Sequence, residues 1–325
     1  MIYGKSMTSG NPWYVQIGAD VAKIKLPNEA RLIMFVRLLF FAVAFACCVH
    51  TAPASENRSP TYRDVEYAKV GDRSLLLDIY FPTKVENKKL PLVVWIHGGA
   101  WRAGSKAKVP VTRWLDEGFA IASVEYRLSP EARFPAQVHD IKAAIRFLRQ
   151  SASKYQLDEE RFVIAGASAG GHLAALVGVT NEHVELEGSV GDVKESSRVQ
   201  AIVSFYGASN LETILSQSTE HGLSVRVPAL KLLLGGLPSE VTGLARLASP
   251  VRHVDTNDPP LLLIHGDADP QMPPEQSDEL HARYKKYGLR SELFVVEGGE
   301  HGGSQFYTQK RLASLASLLK ESLRH

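Results

Sequence analysis

Three kinds of side chain that nucleophilic acyl chemistry needs occur in this sequence, each in a glycine-bordered segment. Ser168 is the centre of Gly166-Ala167-Ser168-Ala169-Gly170, and His301 lies in Glu297-Gly-Gly-Glu-His301-Gly-Gly303. Two carboxylates, Asp267 and Asp269, lie in His265-Gly-Asp-Ala-Asp-Pro270. A serine hydroxyl is a weak nucleophile until a base takes its proton. Histidine is the base suited to neutral pH, and a carboxylate holds the imidazole in the working tautomer. The residues themselves do not choose between the aspartates, because either could orient the histidine while the other caps a helix starting near Pro273. A fourth segment, His97-Gly98-Gly99-Ala100-Trp101, has paired glycines that let main-chain N–H groups face a ligand. The N–H of Gly98 or Gly99, with that of Ala169 after the serine, would receive the charge of a tetrahedral intermediate; losing one such donor costs on the order of 3 kcal/mol.

Each of these segments follows a short apolar run, at 92–96, 162–165, 261–264 and 293–296, and further runs occur at 119–124 and 201–205. Each run is too brief for a helix and is bounded by Gly or Pro, which predicts buried strands. Helical spacing separates them. It is clearest at 137–150, where Val138, Ile141, Ile145 and Leu148 share one face and Lys142, Arg146 and Arg149 are expected on the other. Alternation through 62–70 and 75–81, with Gly71-Asp72 between, predicts a hairpin. Strands alternating with amphipathic helices predict a parallel sheet covered on both faces, with chemistry outside the carboxyl ends of the strands.

Gly98-Gly99, Gly166-Ala-Ser-Ala-Gly170, His265-Gly-Asp-Ala-Asp269 and Glu300-His301-Gly302 together resemble the α/β-hydrolase superfamily. Its esterase/lipase branch, with hormone-sensitive-lipase-like and feruloyl-esterase-like carboxylesterases, is the most similar, over residues 62–323. The resemblance implies a mostly parallel eight-stranded sheet with helices on both faces and a small lid insertion at about 209–258, all within a catalytic domain at 55–325. It implies a triad of Ser168, Asp269 and His301 in that chain order, so Asp269 rather than Asp267 is the acid. It also implies an oxyanion hole from Gly98, Gly99 and Ala169. The activity implied is hydrolysis of carboxylic esters through an acyl-enzyme, with no cofactor and no metal. An arylformamidase or a small peptidase would share the triad and differ in the leaving group. A catalytically silent binding protein is the alternative of another class, and the retention of every triad residue and elbow glycine speaks against it. Two positions depart from the pattern. Ala100 stands where a third glycine is found in the hormone-sensitive-lipase type, which favours the feruloyl-esterase-like or formamidase-like side. Gly302-Gly303 follow the histidine where a larger residue is common, so a looser loop is expected.

Around these segments the sequence leaves some roles open. Trp101 could line a substrate pocket or simply pack. The apolar residues of the insertion, Leu211, Ile214, Leu215, Leu230, Leu232, Leu233, Leu234 and Leu237, suit a lid or a core equally. Arg127 and Asp140 are expected to form a structural ion pair, and His97 and His265 to hold their glycine loops by hydrogen bonds. His172 is expected to pack or to bond locally, and no histidine spacing suggests zinc.

Composition sets the remaining bounds. The chain has 325 residues, 45% of them hydrophobic and 22% charged, enough for a core that needs no disulfide. A formal net charge of +2 without a long basic run argues against a nucleic-acid partner and leaves small-molecule or polysaccharide-linked esters as the expected substrates. Oligomeric state is left open. Residues 1–54 read as a targeting segment: Arg31 and Arg37 supply positive charge, 38–49 is apolar, and Ala52-Pro53-Ala54 offers a signal-peptidase site. A secreted or periplasmic protein is expected, with an uncleaved membrane anchor as the other reading and Met34 as an alternative start. Both cysteines, Cys47 and Cys48, lie in the apolar run, so removal of the segment would exclude thiol chemistry and disulfides.

Overall fold

The structure, a computed structural model, describes residues 14–17, 20–23, 58–84, 88–181 and 183–324. It divides into two units, Met1–Glu56 and Asn57–His325. In the first, β1 (Tyr14–Ile17) and β2 (Asp20–Lys23) pair antiparallel, Tyr14 opposite Lys23. The rest of the expected signal segment, with Cys47, Cys48 and Ala52-Pro53-Ala54, lies outside the described residues. Among the described residues no helix is long and apolar enough to cross a membrane.

The second unit is built on the strands of one sheet. They are β3 (Tyr62–Val70), β4 (Arg73–Tyr80), β5 (Leu90–Ile96), β6 (Ala120–Val124), β7 (Leu157–Ala167), β8 (Ala201–Phe205), β9 (Leu261–Gly266) and β10 (Ser291–Val296). The sheet order is β10-β9-β8-β7-β5-β6-β4-β3. The pairs from β6 to β10 are parallel, and the predicted hairpin β3–β4 adds an antiparallel edge against β6. Because side chains alternate along a strand, each central strand feeds two cores. Leu92, Val94 and Ile96 of β5 enter one, and Val93 and Trp95 enter the other. The first core is closed by α1 (Ala136–Gln150) and α2 (Ala169–Gly178), the second by the C-terminal helix described below.

Between β8 and β9 runs the segment 206–260. It contains a single turn at Ile214–Gln217, α3 (Glu220–Leu234) and α4 (Thr242–Leu247). Helix α3 starts at Thr219, whose hydroxyl accepts from the Gly222 N–H at 3.0 Å, and stops at Gly235 with φ of 85°, a left-handed cap that suits glycine. Leu211, Ile214, Leu230, Leu233 and Leu234 are fully buried in the first core, so these residues pack the fold, whereas Leu232 is exposed. Helices α5 (Glu275–Lys286) and α6 (Gln309–Ser322) complete the two layers, α5 on the first face and α6 on the second.

Two local expectations need correction. Lys142 and Arg146 of α1 are not on a solvated face; both are buried. Groups of Thr180, Glu187, Val190 and Asp192 cover them: Lys142 Nζ donates to Thr180 O and Glu187, and Arg146 donates to Glu187, Val190 O and Asp192 O. Strand β7 also begins five residues before its apolar run, because Leu157 pairs with Leu90 of β5 while polar Asp158, Glu159 and Glu160 mask the start.

Candidate active site

Ser168 sits where β7 turns into α2, with φ of 55° and ψ of −119°. A non-glycine residue in such a conformation costs about 1–3 kcal/mol and persists only where its surroundings enforce it. Here they do. A Cβ on Gly166 would lie 2.2 Å from Gly170 O, and one on Gly170 would lie 2.1 Å from Ile96 O. The turn is tied at both sides, by Ser168 N donating to Phe205 O at 2.9 Å and His172 N donating to Ser168 O at 2.9 Å.

His301 reaches this serine from the loop after β10. Its Nε2 is 2.8 Å from Ser168 Oγ, and its Nδ1 is 2.7 Å from Asp269 Oδ2. The other oxygen of Asp269 accepts the N–H groups of Gln271, at 2.8 Å, and Met272, at 2.7 Å. Burial opposes the charge on Asp269. Hydrogen bonds from His265 and His301, the positive charge available on His301 and the Met272 N–H outweigh it, holding the carboxyl well below the usual range. A carboxylate only accepts, so Nδ1 of His301 carries the proton and Nε2 is free to accept from the serine hydroxyl. Of the two aspartates, then, Asp269 meets the histidine. Asp267 instead accepts the Gly298 N–H at 2.7 Å and ties down the histidine loop. Neither caps α5, which has no side-chain cap.

The oxyanion-type loop adjoins the serine from the end of β5. A Cβ on Gly98 would lie 2.7 Å from Ala167 O and 3.3 Å from the Ser168 Cβ, so only glycine allows this approach. Gly99 follows at φ of 120°. Ala169 is the first residue of α2, and a helix's first N–H has no acceptor within the helix. His97 and His265 hold their loops as expected. His97 Nδ1 lies 2.8 Å from Gly98 O and its ring stacks on Tyr126, while His265 lies 2.6 Å from Ser277 Oγ and 3.1 Å from Met272 O. Arg127 and Asp140 form a two-pronged ion pair at 2.7 and 2.9 Å, with Asp140 fully buried.

Trp101 does not line a pocket. It is fully buried and its indole N–H donates to His172 Nδ1 at 3.1 Å, so the substrate-binding role is corrected to packing. Tyr206 was missed by the sequence reading. Its ring stands edge-on to His301 at 5.0 Å, and its hydroxyl is 2.6 Å from that of Tyr307. The available signal was its place just after the strand 201–205, at the end where the other chemical groups gather. With Gln305 donating to Gly302 O at 3.0 Å, Tyr206 braces the loop that Gly302-Gly303 led us to expect loose. A cavity of about 520 Å³ beside α4, lined by Arg246, Arg252, His253 and Glu185 among others, includes none of the residues around Ser168.

The sequence profile of the BD-FAE family matches residues 77–284. The chain belongs to the BD-FAE family. Gly98, Ser168 and Asp269 fall within that match, and His301 follows it. This BD-FAE chain is 30% identical over 236 residues to Esterase LipC of Mycobacterium tuberculosis (strain ATCC 25618 / H37Rv), spanning 71% of this chain but 57% of that relative. Among solved structures, a truncated carbohydrate esterase from gut microbiota is similar with a TM-score of 0.76 at 32% identity, over 84% of this chain and 99% of that one. The propionate-bound esterase Est2 of Thermogutta terrifontis is similar with a TM-score of 0.66 at 27% identity, over 84% and 97%. The BD-FAE chain has the α/β-hydrolase fold, an eight-stranded mostly parallel sheet with helices on both faces.

Proposed function

We propose that this protein is a serine hydrolase of carboxylic esters that works through an acyl-enzyme, with short acyl groups on small-molecule or carbohydrate-linked alcohols as its substrates. One observation carries the reading: the unbroken line of hydrogen bonds from Ser168 Oγ through His301 to Asp269, at 2.8 and 2.7 Å, starting from a serine held in a strained turn. The named esterases among its relatives, one of them seen with propionate, support the substrate class. The segment 31–54 supports a place outside the cytoplasm.

In this reading Ser168 Oγ attacks the acyl carbon as its proton passes to His301 Nε2. Asp269 stabilises the imidazolium that results. The N–H groups of Gly98 or Gly99 and of Ala169 receive the negative oxygen of the tetrahedral intermediate. As the intermediate collapses, His301 gives its proton to the leaving alcohol and the acyl group stays on Ser168. Water then gives a proton to His301, attacks the acyl carbon and releases the acid, returning the proton to the serine.

The test is hydrolysis of p-nitrophenyl esters from acetate to decanoate by the protein and by its S168A variant. Turnover is expected to be fastest with the shortest chains and to fall roughly 10⁶-fold in kcat in S168A. Cleavage of formanilides or peptides but not esters would replace the leaving-group assignment with an arylformamidase or peptidase. Turnover of none of these substrates would put the silent binding fold in its place.

A further inference from the structure

Gly99, Ala100 and Trp101 follow one another at positive φ, 120°, 52° and 59°. Only the first is a glycine, so the loop facing Ser168 is held in a conformation that alanine and tryptophan resist. Something must enforce it, and the contacts converge on Trp101. Its carbonyl accepts the Ser129 N–H at 2.8 Å, its ring is fully buried, and its indole N–H donates to Nδ1 of His172 at 3.1 Å. The two rings meet edge-on, with centroids 5.3 Å apart.

His172 is also fully buried, and it lies one turn past the nucleophile on α2, where its own N–H binds Ser168 O. Its Nε2 is 2.7 Å from Ala248 O at the end of α4. An indole N–H can only donate and a carbonyl can only accept. His172 is therefore neutral, with the proton on Nε2 and a lone pair on Nδ1. Its pKa, brought down to about 4 by burial against the pull of the Ala248 carbonyl and with the help of the Arg226 charge, agrees with that state. A single helical turn thus carries both the serine and the anchor of the loop opposite it.

We propose that His172 is a positioning residue: through the Trp101 indole it fixes the N–H groups of Gly98 and Gly99 at the distance from Ser168 that the oxyanion requires. This rests on the ester-hydrolase reading above. Two isosteric variants separate the two bonds. The amide of H172Q reaches the place of Nε2 and keeps Ala248 but offers nothing at Nδ1. The amide oxygen of H172N takes the place of Nδ1 and keeps Trp101 but gives up Ala248.

With p-nitrophenyl acetate, H172Q is expected to lose roughly 10- to 100-fold in kcat with KM within about twofold, since the loop would loosen where charge develops. H172N is expected to stay within about threefold of the unaltered protein in kcat, because it keeps the bond that matters. W101F should match H172Q, and the two combined should lose no more than either alone. A purely packing role for His172 would instead let H172N fall as far as H172Q, or leave H172Q at full kcat, and either result overturns the proposal. Should H172Q fail to fold by thermal melting, W101F decides in its place: full kcat there overturns the proposal as well. The rate at which a fluorophosphonate labels Ser168 repeats the comparison without any ester. A protein that is labelled but cleaves no ester loses the ester reading while the labelling rates of the variants still judge His172. A protein neither labelled nor active loses both.

Discussion

The site has two halves that are held by different forces. Around Ser168, Gly98, Gly166 and Gly170 bring backbone so close that an added Cβ would lie 2.1–2.7 Å from a carbonyl oxygen. Around Asp269 and His301, position is set by hydrogen bonds to charge: Asp269 accepts from Gln271, Met272 and His301, and Asp267 from Gly298. Tight glycines occur there too, at Gly266, where β9 ends, and at Gly299, three residues past the end of β10, but a Cβ on Gly298 would meet nothing within 4 Å and one on Gly302 only ordinary contact at 3.4 Å. The Ser168 half is a steric device. The Asp269–His301 half has slack in its backbone at Gly298 and Gly302 and relies on an ionised carboxylate, so the two should fail under different insults.

The largest effect is expected at that carboxylate. In D269N the amide can donate to Nδ1, which places the imidazole proton on Nε2, facing the serine, and kcat should fall about 10⁴-fold while the fold persists. The same substitution separates the halves by pH. Asp269 has a depressed folded pKa, so its contribution to stability is present above the unfolded carboxyl value of about 3.9 and is lost as pH falls below that toward the folded value. Urea unfolding of the unaltered protein should therefore weaken more between pH 7 and pH 3 than that of D269N. Equal pH slopes would show that Asp269 is not the charge on which this half depends.

Next comes the steric half. G170A would press a methyl against Ile96 O and should cost roughly 3 kcal/mol or more in urea unfolding, at pH 7 and pH 5 alike. G298A makes the matched control in the other half. Its φ of 60° disfavours alanine by about 1 kcal/mol, but no neighbour is struck, and activity should survive. If G170A and G298A cost the same, crowding around Ser168 is not what holds the serine in place.

How far the sequence foretold this site follows the same division. A steric device is written locally, as glycines at fixed offsets after apolar runs, and so the turn at Ser168, the loop at Gly98-Gly99 and the strand 201–205 could be read from the residues alone. What the sequence hid depends on partners far along the chain. Lys142 and Arg146 look solvated by periodicity and are buried only because Glu187 and nearby carbonyls, some 40 residues on, cover them. The choice between Asp267 and Asp269 needed a resemblance, since both follow the same strand and only the direction of each side chain separates them. Trp101 was undecidable for a like reason: its indole could face a ligand or His172, and nothing adjacent in sequence says which.

Tyr206 gives the smallest expected effect and the sharpest test of how the histidine loop is held. Its ring stands against His301 while its hydroxyl engages Tyr307, so phenylalanine keeps the first contact and removes the second. One hydrogen bond between side chains contributes about 1 kcal/mol to stability, and Y206F should lose that much in urea unfolding while kcat stays within about twofold. That outcome would mean the brace is the aromatic face, an apolar support added to a half otherwise held by charge. A tenfold fall in kcat with unchanged stability would mean the opposite. The tyrosine pair would then steer His301 through its hydroxyls, and the Asp269–His301 half would be held by polar contacts on both sides of the imidazole.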